Sequence, residues 1–272
     1  MTRPGISRSG GWQAGRVDTP VPAPVARIAG TRPAREVWRN EVDGVTFEIG
    51  SDPDRVFAKW QPHSPLVDLA READRLAWAG AYLRVPTVLE CGADGDGQWL
   101  VTAAVPGRSA VDPRWVADPA RAVAAIGSGL RALHDALPVP DCPYSWSVEQ
   151  RVASLERDGM RAVIAWDDAH QPLGPLGALE LLRDPPPIDR LVVCHGDACS
   201  PNTLLSEDGE WSGHVDFGAL GLADRWADLA IAAWSTEWNY GPGWAAPLLD
   251  AYGVAADESR SAYYRLLWDV AL

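Results

Sequence analysis

Residues 194–202 read C-H-G-D-A-C-S-P-N. The stretch offers two thiols, an imidazole, a carboxylate, a hydroxyl and a primary amide, enough for three chemistries. Ser200 or a cysteine beside His195 could form a nucleophile and its base. Neighbours in a loop need not face each other, however, and no G-x-S-x-G turn is available to present a serine. Cys194, His195 and Cys199 could ligate zinc, but no fourth ligand is evident and the deaminase spacing is absent. The third option, phosphate chemistry with a hard metal ion, uses more of the residues.

His195, Asp197 and Asn202 match H-x-D-x-x-x-x-N, the catalytic-loop pattern of protein kinases, and Asp216-Phe217-Gly218 supplies the D-F-G that follows it. Between them, T-L-L-S-E-D-G-E-W-S-G-H-V has two short apolar runs around Asp208-Gly209, a hairpin signal. Folding it back brings Asn202 and Asp216 to the same end of two adjacent strands. One amide oxygen and one carboxylate then converge, and such hard oxygen ligands suit Mg²⁺. Asp197 would accept a proton from, or orient, an attacking hydroxyl while the metal bridges phosphate oxygens. His195 is read as holding the loop backbone.

A lysine far upstream completes the set. The chain has 24 basic residues, and Lys59 is the only lysine among them. Arginine cannot replace a compact ammonium where a point charge must fit among phosphates. Lys59 ends a strand-like segment, and Glu72 lies on the helix expected next. A strand lysine paired with a helix glutamate is the kinase device for gripping α- and β-phosphates.

The elements that must position these groups divide the sequence. Residues 36–60 alternate as three short strands with turns near Asp43-Gly44 and Ser51–Asp54. Ser64-Pro65 reads as a helix start and Gly80 as its stop. Residues 85–91 and 98–105 read as a hairpin. After Val105-Pro106-Gly107 the chain turns helical, over about 118–136, 147–166 and 174–183. Leu191-Val192-Val193 is a strand into the quoted loop, and helices follow the hairpin near 222–236 and 257–270.

Composition narrows the function. The net charge is −13, which repels nucleic acid and attracts a cationic small molecule. No apolar run has the length of a membrane span, and the N-terminal segment lacks the apolar region of a secretory signal, so a cytoplasmic protein is expected. The four cysteines, at 91, 142, 194 and 199, have no C-x-x-C spacing and read as reduced thiols.

From about Val45 to the C-terminus the chain resembles the aminoglycoside phosphotransferases. The resemblance is carried by FAKW (57–60), AREADRL (70–76), VTAAVPG (101–107), ALHD (132–135), VVCHGDACSPN (192–202) and GHVDFGALGLADRWADLA (213–230). It implies an α+β, two-lobed protein-kinase-like fold with ATP in the cleft. The expected parts are a loosely ordered N-terminal arm over 1–35, a strand-rich N-lobe over 36–103 and a mainly helical C-lobe over 104–272. It makes Asp197 the catalytic base, Asn202 and Asp216 the Mg²⁺ ligands, and Lys59 with Glu72 the phosphate grip. Asp228 becomes a structural brace of the catalytic loop. The adenine is expected on backbone near Thr102 and Ala104. Within the family, the CHGD-x-C-x-PN string and ALHDALPVPDCP look most like enzymes acting on streptomycin at the 3''-hydroxyl.

A guanidinium-bearing drug calls for carboxylates. Candidates are Asp167, Asp168, Asp224, Glu237, Asp257, Glu258 and Asp269. Asp269 ranks first, because the family closes its drug site with acidic residues of the C-terminal helix. Trp226, Trp234 and Trp238 are candidates for stacking on the drug. One departure stands out: the strand pair that should cover phosphate offers only Gly44, with Thr46 as a stand-in hydroxyl. The rival functions are a choline, macrolide or sugar kinase of the same fold, a kinase-like binding module without turnover, and a metal-dependent phosphoesterase.

Overall fold

A computed structural model describes residues 20–40 and 42–271. The chain divides into two compact units at Gly107/Arg108, where the sequence placed the boundary at 103/104. Of the arm expected over 1–35, residues 1–19 lie outside the described residues. The rest forms helix α1 (Ala23–Ala29) and enters strand β1 (Ala34–Arg39).

The first unit is an antiparallel sheet of β1, β2 (Val45–Ile49), β3 (Val56–Pro62), β4 (Val88–Ala93) and β5 (Gly97–Ala103), in the order β1-β2-β3-β5-β4. Strict alternation along β2 buries Val45, Phe47 and Ile49, and with Ala58 and Val101 they pack against Val25 and Ala29 of α1. Period-two alternation leaves Thr46, Lys59 and Thr102 off that face. Helix α2 (Leu69–Ala79) packs on β4 and β5. It starts later than Ser64-Pro65 suggested. Ser64 closes only a local turn, whereas Asp68 accepts from the Arg71 N–H at 3.1 Å and caps the helix. Leu69 N–H is itself held by Gln98 Oε1 at 2.7 Å, so a sheet contact fixes where the helix begins.

The second unit opens with β6 (Arg108–Ser109), α3 (Pro113–Val116) and α4 (Pro119–Ala136). Helix α5 (Val148–Asp158) is shorter than the span 147–166, because Gly159 at φ +90° ends it. After α6 (Gly174–Leu182) come β7 (Leu191–Cys194), β8 (Thr203–Leu205), β9 (Trp211–His214) and β10 (Gly221–Asp224), then α7 (Trp226–Tyr240), α8 (Ala245–Tyr252) and α9 (Glu258–Val270). Strand β10, read from the sequence as the start of a helix, pairs antiparallel with β7. Helix α7 is buried nearly all round its first eleven residues and packs against α4, α8 and α9 as the centre of this unit. No helix among the described residues is long and apolar enough to cross a membrane.

Candidate active site

In the first unit, β3 presents Lys59 and α2 presents Glu72. The ammonium donates to both carboxylate oxygens, at 2.7 and 2.9 Å. Glu72 is only 5% exposed, so the pair is partly withdrawn from water and correspondingly firm. Thr46 stands opposite Lys59 in the β2–β3 register, on the same face.

The hairpin tip before Thr46 is built by side chains. Asn40 Oδ1 accepts from the Gly44 N–H at 2.6 Å and the Val42 N–H at 3.0 Å. Asn40 Nδ2 donates to Gln61 Oε1 at 2.7 Å, and Gln61 Nε2 donates to the Val42 carbonyl at 2.8 Å. A Cβ on Gly44 would stand 2.0 Å from Gln61 Oε1. Gly44 is therefore there for packing, and its N–H is already spent inside the tip.

At the end of β5, Ala103 N–H donates to the Thr87 carbonyl and Ala104 N–H to the Arg55 carbonyl. The expected adenine contact cannot use the Ala104 N–H, which the sheet consumes. Thr102 pairs with Phe57 and Val88 inside the ladder. Among the described residues the next N–H, that of Val105, has no backbone partner.

In the second unit, β7 delivers the chain to His195–Cys199 and a short turn over Ser200–Asn202. One buried carboxylate organises this segment. Asp228, from the first turn of α7, accepts from the N–H groups of His195 at 2.6 Å and Gly196 at 2.8 Å. His134 Nε2 donates to the same carboxylate at 2.9 Å, and its other nitrogen meets Tyr252 OH at 2.9 Å. Burial would push the Asp228 carboxyl up, but the bond from His134, the nearby imidazoles and the Gly196 N–H together hold it below the usual range. The sequence marked Asp228 as a brace; its partners His134 and Tyr252 were not singled out.

Gly196 has φ +86°, and a Cβ there would stand 2.2 Å from the Ala219 carbonyl oxygen. Only glycine fits between the brace and the D-F-G turn. His195 does what the sequence analysis expected. Its Nε2 donates to the Val215 carbonyl at 2.9 Å, and its Nδ1 accepts from the Asp197 N–H at 3.3 Å, which fixes the tautomer. The ring lies 4.9 Å from buried Phe217.

Asp197 receives the Asn202 amide at Oδ2, 3.2 Å away, while the same amide donates to the Asp197 carbonyl at 2.9 Å. Burial raises the Asp197 carboxyl above its ordinary value, and the charge of Asp216 adds to the rise. The β8–β9 hairpin forms as expected, and Val215 N–H donates to the Asn202 carbonyl at 2.9 Å. Asp216 follows with φ +69°, a left-handed conformation uncommon for a residue with a side chain and often found at functional turns.

The donor set fits a hard divalent cation. The Asn202 amide points its nitrogen at Asp197, and its oxygen accepts no hydrogen bond among the described residues. Two like charges, Asp197 and Asp216, stand close enough to perturb each other, which a cation would relieve.

Beside the loop lies an arginine the sequence analysis passed over. Arg151, on the first turn of α5, places its Cζ 4.1 Å from the ring centroid of buried Trp146. Burial lowers its pKa to about 10, opposed by the charge of Asp197.

The acidic candidates separate. Asp224 is a correction: it is 2% exposed, and its oxygens accept from the Asp189 N–H at 2.7 Å and the Trp226 N–H at 3.0 Å. Both its oxygens are taken by backbone N–H groups, so it does not reach out to substrate. Asp269 is also buried, with Oδ2 accepting from the Asp167 N–H and His170 Nδ1, each at 2.7 Å. It ties the loop carrying Asp167 and Asp168 to α9. Glu237 has a solvent-facing carboxylate 3.8 Å from Arg265. Asp257 caps α9. Trp226 is buried and donates to Asp189 at 3.1 Å, so stacking on a ligand is excluded for it. Trp234 and Trp238 instead cluster with Trp268, at 6.3 and 5.9 Å between ring centroids.

Comparison with known proteins places the chain among relatives. Residues 35–264 match the model of the phosphotransferase enzyme family. The chain is 39% identical over 249 residues to an aminoglycoside 3'-phosphotransferase of Streptomyces fradiae, covering 84% of this chain and 92% of that one. It is 36% identical over 231 residues to the streptomycin 3''-kinase of Streptomyces griseus, covering 76% and 82%. Among solved structures, an aminoglycoside-3'-phosphotransferase of type VIII superposes with a TM-score of 0.74 at 32% identity, over 88% of this chain and 93% of that one. Aminoglycoside phosphotransferase APH(3'')-Id of Streptomyces rimosus, in complex with ADP and streptomycin, gives 0.67 at 26% identity over 83% and 89%. A kinase-like α+β fold, the residue set around Asp197 and this breadth of similarity lead to one conclusion: the chain belongs to the aminoglycoside phosphotransferase family.

Proposed function

We propose that the protein transfers the γ-phosphoryl group of ATP to the 3'-hydroxyl of an aminoglycoside. The observation that carries the proposal is the convergence at Asp197 of the Asn202 amide and the Asp216 charge on a loop pinned by Asp228. In this reading Asp197 orients the acceptor hydroxyl and takes its proton. Burial and the Asp216 charge raise its affinity for protons, the direction that favours a general base. Asn202 and Asp216 would hold Mg²⁺, which when bound neutralises phosphate charge. Lys59, steadied by Glu72, grips the α- and β-phosphates, and the Val105 N–H is the donor left for the adenine edge.

The choice of hydroxyl follows the relatives: the similarity at 39% identity is to a 3'-enzyme. Streptomycin at its 3''-hydroxyl, the acceptor expected from the sequence, is the second reading. It is supported by the 36% similarity to a streptomycin kinase and by the solved relative that holds streptomycin. Glu237, paired with the Arg265 that lies 5.6 Å over the Trp234 ring, and Asp168, two residues before the His170 that meets that ring at 5.7 Å, are the groups proposed to meet a cationic acceptor.

The test is incubation with ATP and Mg²⁺ of three acceptors: an aminoglycoside bearing a 3'-hydroxyl, its 3'-deoxy analogue, and streptomycin. Mass spectrometry is expected to show one added phosphate on the first and none on the second, with NMR placing it. Phosphorylation of streptomycin alone would replace the first reading with the second. No transfer to any aminoglycoside would overturn both.

A further inference from the structure

We propose that Arg151 and Trp146 form an anion subsite that receives the transferred phosphoryl group on the acceptor side of Asp197. The proposal rests on the phosphotransferase reading above but names residues that reading does not use. Three buried polar atoms in this neighbourhood have no partner among the described residues: Arg151 Nε, Trp146 Nε1 and Asp197 Oδ1. Buried donors are nearly always satisfied, and here two unpartnered N–H groups fall together beside the loop of the catalytic carboxylate, where a ligand could satisfy both. The Arg151 guanidinium makes no hydrogen bond or ion pair with any described residue. It is held by stacking, with its Cζ 4.1 Å from the Trp146 ring centroid. A guanidinium held over an aromatic face keeps its N–H donors for a further partner.

The position is set by the fold. Trp146 N–H donates to the Leu222 carbonyl at 3.0 Å, on the strand paired with β7. Trp146 Cδ1 lies 2.8 Å from where a Cβ on Gly196 would stand, so the indole packs on the residue before Asp197. Arg151 is therefore within range of the Asp197 charge without bonding to it. A cationic drug has no reason to seek a guanidinium. A phosphoryl group does: as it passes, negative charge is spread over three equatorial oxygens, which planar N–H donors stabilise. In the step, the acceptor oxygen forms the new bond to phosphorus and its proton passes to Asp197. The bond from phosphorus to the β,γ-bridging oxygen breaks, and ADP leaves with that electron pair. Arg151 contacts the non-bridging oxygens during transfer and in the phosphate monoester product.

The experiment has two arms. In the first, Arg151→Gln is expected to lower turnover by about 100-fold or more, the cost of losing one such donor. It should weaken binding of the phosphorylated aminoglycoside by about tenfold or more, as for a charged hydrogen bond, and leave affinity for the unphosphorylated drug unchanged. Arg151→Lys, which keeps charge but loses the fork, should fall between. In the second, the arginine Nε–H signals of the ¹⁵N-labelled wild-type protein, saturated with ADP and Mg²⁺, are followed while inorganic phosphate is added. The signal missing from Arg151→Lys is expected to shift saturably with phosphate and not with chloride at equal ionic strength. Should Arg151→Gln fail to fold, the lysine variant and the wild-type titration still decide. An unmoved Arg151 signal, or turnover of either variant within about threefold of wild type, overturns the proposal even if aminoglycosides are phosphorylated. A phosphate-dependent shift in a protein that phosphorylates no aminoglycoside supports the subsite and removes the acceptor assignment instead.

Discussion

Lys59 sits in mid-strand, paired across the ladder with Thr46 on one side and Leu100 on the other. Asp197 sits in irregular backbone between β7 and the turn at Ser200–Asn202, and no ladder holds it. The two groups are positioned by different physics. Sheet hydrogen bonds fix the lysine whatever its side chain does, and one ion pair to Glu72 finishes the task. The loop carrying the aspartate is pinned by a buried carboxylate, Asp228, that satisfies two loop N–H groups and is itself held by His134. Damage to the first arrangement should therefore stay local to function, whereas damage to the Asp228 brace of the second should cost function and fold together.

Four measurements test that contrast. Asp197→Asn is expected to lower turnover by about 10²–10⁴-fold, the usual worth of a general base. Its thermal midpoint should be unchanged or higher, because a carboxylate penalised by burial is removed. Asp228→Asn should lower stability by about 3–5 kcal/mol by breaking a buried charged network, read as a denaturant midpoint, and abolish most turnover with it. Lys59→Arg should keep the fold and lose up to about 100-fold in kcat/KM for ATP, as expected for a phosphate contact displaced by an ångström. If Lys59→Arg unfolds the protein as readily as Asp228→Asn does, the contrast is broken.

The smallest effect is on the acid limb of stability. The folded pKa of Asp228 lies below the ordinary 3.8, so its contribution is fully present above that value and lost as pH falls through the folded one. The stability difference between wild type and Asp228→Asn should hold constant above about pH 5 and shrink below about pH 4. A difference that grew on acidification would contradict the sign of that shift.

The same contrast explains what could be read without coordinates. The Lys59–Glu72 pair was legible because strand and helix are local patterns and the chain has one lysine. The approach of Asn202 to Asp216 was legible because one hairpin joins them, with Asp197 just ahead of it. The His134–Asp228 link joins residues far apart in sequence, and Arg151 reaches the loop only through Trp146 packing on Gly196; neither leaves a local pattern. Strand β10 was taken for helix because its partner, β7, lies well upstream, and G-L-A-D has no alternation of its own. Helix α8, a segment for which the sequence carried no stated expectation, holds Pro247 in its first turn, where proline is tolerated. The Asp224 assignment failed because charge in a sequence does not say whether backbone N–H groups will claim it.

One lysine in the whole chain also makes the molecule its own clock. A protease that cuts only after lysine has a single target bond, Lys59–Trp60, and that bond lies in the middle strand of a five-stranded sheet. The bond must leave its ladder before a protease can close around it, so each cleavage records one opening of the first unit and yields two fragments of fixed size.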